Sequence, residues 1–366
     1  MCSAPLRLVK PSSISEQVEE ASEPVHSLCS TFSSNSILTA PLVKYLISRF
    51  SKEEAKVLDP WTEFGTVPVV AHVEKRVALA NAIHKLFAIT TDALVNPVDL
   101  ANVALKTQIL ALRKPVSVER YTKHFRPFFD LNTFRELENL RVDLARDGDK
   151  TSRFIQSLTL SILHGPSAGY LSSPCSSIGV PDYESQEREN IKRRAGPEYR
   201  AVSPRILKRA ATSLSDGLPS VPRKTQSLQK VSYSDPRNLM VFETGSVDLV
   251  ITELREQLSF TPNSQWLRCW FLGTPLNDSA LKGCAEDPIE FWAEILQEVA
   301  RVTALGGRFV GILSSEQVQF ENALKQIIER DRFWYLENRI QFSGRKVKVG
   351  SNRGSVDAIA LVLRRD

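Results

Sequence analysis

The sequence predicts an α/β fold whose parallel sheet is interrupted by a mostly helical insertion. Three observations predict it. Short apolar runs at Ala55 to Asp59 and Arg76 to Asn81 bracket a helical stretch, which makes a β-α-β unit. A second series of alternating strand and helix patterns begins near Lys230 and runs to the end. Between the two, residues 84–160 carry helical rather than strand periodicity.

The elements follow in order. Residues 1–27 are rich in Ser, Glu and Pro without periodicity and read as a flexible arm. Leu38 to Phe50 has helical spacing, the run ending in Asp59-Pro60 reads as a buried strand meeting a turn, and Val67 to Val73 starts a helix. Phe128 to Leu144 is an amphipathic helix with Asn132 or Thr133 as N-cap, and Phe154 to Leu163 is a second, apolar one. Gly, Ser and Pro from His164 to about Val180 predict a loop. Arg205 to Leu214 reads as a basic helix, and Ser215 to Ser227 as a mobile linker. Val247 to Ile251 is a buried strand. Pro288 to Val302 is a long helix stopped by Gly306-Gly307, and Arg308 to Leu313 is the next strand. A helix over Phe320 to Arg330 precedes two closing strands, Trp334 to Phe342 and Val356 to Leu363, joined by a glycine-bearing turn. The organisation expected is an arm (1–27), a first α/β part (28–110), a helical and partly basic insertion (111–230) and a second α/β part (231–366).

Composition narrows the function classes. Hydrophobic residues make up 42% and charged residues 24% of 366 positions, as in ordinary globular proteins. Five cysteines (Cys2, Cys29, Cys175, Cys269, Cys284) are scattered without a C-x-x-C pair, and the five histidines show no ligand spacing. A disulfide framework and a metal site are therefore not expected. No run reaches the roughly 18 apolar residues of a membrane span. A cytoplasmic protein without a membrane partner is the expectation. Net charge is +5, but residues 188–230 hold eleven Lys/Arg against three acidic residues, so the basicity is local.

Val57 to Thr66 reads VLDPWTEFGT. It resembles the D-P-F-x-G-x-G-T cofactor loop of S-adenosylmethionine-dependent DNA amino-methyltransferases, which modify exocyclic amines of adenine or cytosine. Three further segments resemble the same family in the same order: Ser27 to Arg49 before the first strand, LHGPSAGYLS at Leu163 to Ser172, and the strand, loop and WLRCWFLG helix within Val247 to Gly273. The resemblance implies a seven-stranded, Rossmann-like class I methyltransferase sheet, S-adenosylmethionine as cofactor, and DNA as partner. On it, Asp59, Pro60, Glu63, Gly65, Thr66 and Asn81 occupy the cofactor-binding positions. Glu253, Leu254, Arg255 and Glu256 occupy the catalytic S-P-P-F or D-P-P-Y positions.

The departures point away from methyl transfer. Glu63 replaces a glycine whose backbone approaches the cofactor, and brings a like charge toward its carboxylate. Asn81 replaces the acidic residue that accepts the ribose hydroxyls; it reads either as a weakened anchor or as a turn residue. In the catalytic loop both prolines and the stacking aromatic are gone, Glu253 is a longer acceptor, and Arg255 adds a cation where a sulfonium would react. S-adenosylmethionine is thus expected to be held weakly or not at all.

In such enzymes the region between the halves contacts DNA. Arg188, Lys192, Arg193, Arg194, Arg205, Lys208 and Arg209 are the candidate phosphate contacts, with RNA as an alternative partner; a solvated basic helix is the plain reading. Tyr170, Tyr183 and Tyr199 could stack on bases or pack locally. His164 reads as a helix-capping residue and Trp266, Trp270 and Phe271 as core. The leading expectation is a catalytically impaired methyltransferase-like protein acting in nucleic-acid or protein-partner binding. The rivals are an active DNA amino-methyltransferase with Glu253 as amine acceptor, and a scaffold without nucleic-acid contact.

Overall fold

The computed structural model of the chain describes residues 14–19, 25–32, 36–175, 179–256, 262–281, 287–343, 346–349, 352–355 and 357–366. Cys2, Cys284 and residues 1–13 and 20–24 of the expected arm lie outside them. The elements are, in order, β1 (Ile14–Glu19), α1 (Ala40–Phe50), β2 (Lys56–Asp59), α2 (Thr66–Val73), β3 (Val77–Ala82), α3 (Lys85–Val95), α4 (Leu100–Ile109) and α5 (Val118–His124). Then come α6 (Leu131–Asp147), α7 (Lys150–Ile162), α8 (Tyr183–Arg193), α9 (Val202–Ser213), α10 (Arg223–Ser227), β4 (Lys230–Tyr233), β5 (Val247–Glu253) and α11 (Trp266–Leu272). The last are α12 (Pro288–Val302), β6 (Thr303–Ser314), α13 (Val318–Arg330), β7 (Trp334–Ser343), β8 (Lys346–Val349), β9 (Asn352–Ser355) and β10 (Ala358–Arg365).

The main sheet runs β1-β7-β10-β6-β5-β2-β3-β4. Strand β10 lies antiparallel between β6 and β7, whereas β6-β5-β2-β3-β4 are parallel neighbours. Because β2 sits between β3 and β5, the chain leaves the sheet in opposite directions after β2 and β5. That is the switch point at which doubly wound sheets place their crevice. Both sheet faces are covered. Val57, Leu249 and Ile251 face one apolar cluster with α1, α2, α3, α6 and α7; Leu58 and Val250 face the other with α12 and α13. This alternation is what a strand buried on both faces requires. Phe128, Phe134, Phe154 and Ile155 from the helical insertion lie in the same cluster as the sheet residues.

Several expectations are corrected. Part of the arm, Ile14–Glu19, is an edge strand paired in parallel with β7, so the main sheet has eight strands rather than seven. The N-cap of α6 is Asp130, whose carboxylate accepts from the Asn132 amide at 2.8 Å. Thr133 instead binds the backbone of Arg200, where its hydroxyl is buried. Helix α12 ends at Thr303, whose amide bonds Val299, and Gly306 and Gly307 lie inside β6. Gly306 takes a left-handed φ of 74° beside a register shift in β5 pairing, so the pair makes a bulge rather than a helix stop. The expected linker contains α10, anchored by buried Thr225. The closing connection carries the hairpin β8–β9 instead of a simple turn.

Candidate functional site

The loop after β2 is shaped by two residues. Gly65 adopts φ 78° as the residue before α2, and a Cβ there would meet Thr91 Oγ1 at 3.0 Å. Trp61 turns into the second core, stacking on Trp292 at 5.8 Å and edge-on to Phe291 at 5.5 Å. Asp59, at the strand end, is buried and receives the Trp61 amide at 3.1 Å. Burial pushes its carboxyl up to about 7, against the pull of the Trp61 amide and the Arg255 charge. Pro60 is buried, and Thr66 opens α2 half-buried.

Asn81 is wholly buried and all its hydrogen-bonding capacity is engaged within the fold. Its Nδ2 donates to the carbonyls of Pro60 (3.1 Å) and Ser234 (2.9 Å). Its Oδ1 accepts from the hydroxyls of Ser232 (2.7 Å) and Ser234 (2.8 Å). Asn81 thus pins the β2 loop to β4 and the turn after it.

The catalytic-loop positions meet the cofactor loop directly, because β2 and β5 are neighbours. Arg255 bonds Glu63 Oε1 through Nη1 and reaches Glu253 Oε2 through Nη2 at 3.3 Å. Glu253 also accepts from Ser36 Oγ at 2.5 Å. Burial works against the Arg255 charge, but Glu63 and Glu253 hold its guanidinium above the ordinary arginine range. The Arg255 carbonyl accepts from Trp292 Nε1 at 2.8 Å, which fixes the backbone. Leu254 is core: its amide extends the ladder to Ile312, and its side chain lies where a Cβ on Gly311 would be. Glu256 is exposed. Phe64, between Glu63 and Gly65, stacks on Phe32 at 4.7 Å and edge-on to Phe87 at 5.0 Å, with the Arg268 guanidinium 5.5 Å from its ring centre.

The fold therefore brings Asp59, Glu63, Glu253 and Arg255 together. Ser36, Ser232, Ser234 and Trp292 complete the arrangement and were not legible as site residues. They come from segments far away in sequence, and no local pattern marks them. Among the described residues, no group of three or more His, Cys, Asp or Glu could hold a metal ion, and no helix is long and apolar enough to cross a membrane.

The basic candidates separate into two groups. On α8, Arg188 bonds Ser185, Lys192 is exposed, Arg193 bonds the Pro174 carbonyl, and Arg194 closes the helix at φ 53°. On α9, Arg205, Lys208 and Arg209 line a cavity with Tyr170. Arg209 is partly engaged within the fold. Its Nε donates to Ser161 (3.0 Å) and its Nη2 to the carbonyls of Ser30 and Thr31, tying the segment before α1 to the insertion. Tyr183 bonds the Thr122 carbonyl and Tyr199 bonds Glu136, whereas the Tyr170 ring lies over Gly165. Trp270 packs on Phe125 at 4.6 Å and Trp266 on Phe128 at 5.1 Å, while Phe271 is buried. His164 is buried and its Nδ1 lies 2.7 Å from Ser172 Oγ; it joins the loop back to itself beyond α7.

No protein-family profile matches the chain, and no curated protein sequence matches it. Solved structures do. TrmN from Thermus thermophilus aligns with 92% of this chain and 52% of its own, at 11% identity and a TM-score of 0.37. This chain thus spans about half the length of that protein. The rRNA methyltransferase AviRa from Streptomyces viridochromogenes aligns over 89% of this chain and 86% of its own, at 11% identity and a TM-score of 0.29. A candidate DNA modification methylase, also from Thermus thermophilus, aligns over 36% of this chain and 51% of its own, at 15% identity and a TM-score of 0.22. The strand order, with β10 reversed between β6 and β7 and the switch point between β2 and β5, makes this an α/β protein with the Rossmann-like fold of class I methyltransferases.

Proposed function

We propose that the protein is a non-catalytic member of the methyltransferase fold that binds nucleic acid. The observation that carries this is the Glu63–Arg255–Glu253 bridge across the crevice. The two replacements that look independently damaging in sequence neutralise each other in space. A cation held between two carboxylates stands at the junction of the cofactor and catalytic loops, and Glu253 Oε2 accepts from both Ser36 and Arg255. Those bonds fix the carboxylate, and the Arg255 cation beside it is unfavourable for a methyl sulfonium approaching a target amine. Asn81 has no acceptor left for ribose hydroxyls. These residues do not fit S-adenosylmethionine.

The nucleic-acid half of the reading rests on the local basicity of 188–230 and on the exposed cations of α8. Calorimetric titration with S-adenosylmethionine should give no saturable heat, and labelled methyl should not pass to DNA or RNA. A labelled oligonucleotide should be retarded in a gel, less so as salt rises. Micromolar cofactor binding, or methyl transfer above a no-protein control, would overturn the non-catalytic reading. A protein that retards no oligonucleotide at low salt would instead be a scaffold.

A further inference from the structure

We propose that the cavity between α7, α9 and the turn before Tyr170 binds a phosphate group, away from the crevice. The proposal deepens the nucleic-acid reading and rests on it only for the source of the phosphate. The cavity has a volume of about 220 Å³ and is lined in part by Ser161, Tyr170, Arg205, Lys208, Arg209 and Thr212. It is smaller than the roughly 300–1,000 Å³ of sites that enclose a whole drug-sized ligand. A charged group fits that size better than an entire nucleotide.

The charge in the cavity is one-sided. None of its described lining residues is acidic, while three are cationic. The Nε of Arg205 is buried and has no hydrogen-bond partner among the described residues. A buried charged donor without an acceptor is costly, and an anion would satisfy it. Arg209 is engaged through Nε and Nη2 with Ser161, Ser30 and Thr31, all neutral acceptors, so its positive charge is left uncompensated by them. Arg200, behind the same turn, bonds the carbonyls of Tyr170 and Ser172. Burial, together with repulsion from Arg205 and Arg193, holds its guanidinium below the ordinary range. Guanidinium and ammonium groups lining one cavity, with no carboxylate among its described lining residues, suit the several acceptor oxygens of phosphate. A 5′ end and a backbone diester present the same chemistry.

The test uses the full chain. Inorganic phosphate is titrated by calorimetry and by NMR, with ionic strength held constant by chloride. Arg205→Gln should weaken phosphate binding at least tenfold and Lys208→Gln several-fold, while Lys192→Gln on α8 leaves it unchanged. Lys208 is exposed, so its variant keeps the proposal testable if Arg205→Gln unfolds. A single-stranded oligonucleotide is then compared with its 5′-phosphorylated form. Tighter binding of the phosphorylated form, lost in Arg205→Gln, assigns the end phosphate; equal binding of both, weakened in Arg205→Gln, assigns the backbone. Absence of saturable phosphate binding, or equal binding in wild type and both α9 variants, overturns the proposal. Oligonucleotide binding that fails in Lys192→Gln but not in Arg205→Gln keeps the nucleic-acid reading and overturns the cavity. Phosphate binding that needs Arg205, with no oligonucleotide bound at all, does the reverse.

Discussion

Arg255 is the residue on which the crevice turns. Its charge is shared by Glu63 and Glu253, whose side chains keep 30% and 17% of their surface exposed against 24% for Arg255. Partial exposure places the bridge between a surface pair and a buried one, so removal should cost about 1–3 kcal/mol. Arg255→Met should lower the denaturation midpoint accordingly, because two carboxylates are left facing each other. Adding Glu63→Gln should recover about half of the loss, and a double-mutant cycle by urea unfolding would measure the coupling. Additive effects would mean that the bridge contributes nothing. Asp59 and the buried histidines make opposite pH predictions. Asp59 titrates near 7 when folded and near 4 when unfolded, so over that window the folded state holds more protons and stability falls as pH rises. Burial lowers His72 and His164 to about 4, so between there and about 6.5 the unfolded state holds more protons and stability rises with pH. Two histidines outweigh one aspartate, and the net profile should climb from pH 4 to 6.5. Asp59→Asn should steepen that climb by at most about 1.4 kcal/mol per pH unit, read from urea midpoints at several pH values. An unchanged slope would place the Asp59 carboxyl at its ordinary value.

At the scale of elements, local chemistry sets the helix starts better than periodicity does. Asp130, Asp149 and Asp182 each cap a helix by accepting an amide from within its first turn. Apolar spacing overran the start of α6 because Phe128 and Phe129 are buried core residues before the helix. Asp130→Ala should destabilise the protein by about 1 kcal/mol, whereas Asn132→Ala should change stability by a few tenths. Thermal melts of the two variants separate the cap from the alternative. Strand β1 carries no strand pattern in the sequence for a related reason. An edge strand pairs through its backbone and needs little side-chain pattern, so polar Ser15, Glu16 and Gln17 hide it.

On the scale of the whole molecule, the insertion and the sheet share one apolar cluster. Phe154 and Ile155 of α7 lie in it with Leu249 and Val310 of the sheet. Unfolding should therefore be a single calorimetric transition, and Phe154→Ala should lower that one midpoint through a loss of about 3–5 kcal/mol. Two resolved transitions, only one of them moved, would mean that the insertion folds on its own. The same continuity links the crevice to the basic face, since Arg209 joins the chain before α1 to α7 and α9.

What the sequence determined by itself is the frame: the β-α-β start, the buried strand at Val247, the closing strands, and the resemblance running along four collinear segments. These are local properties, because hydrophobic period and turn residues act over a few positions. The fate of the altered site was not local. Glu63 and Arg255 are 192 positions apart, and read one at a time each is an unfavourable charge. Only the pairing of β2 with β5 puts them within reach, turning two isolated charges into an ion pair. Asn81 likewise reads as either anchor or turn residue until Ser232 from β4 and Ser234 from the turn after it occupy its acceptor. Coulomb energy and hydrogen bonding depend on distance in space, and the folded sheet supplies that distance.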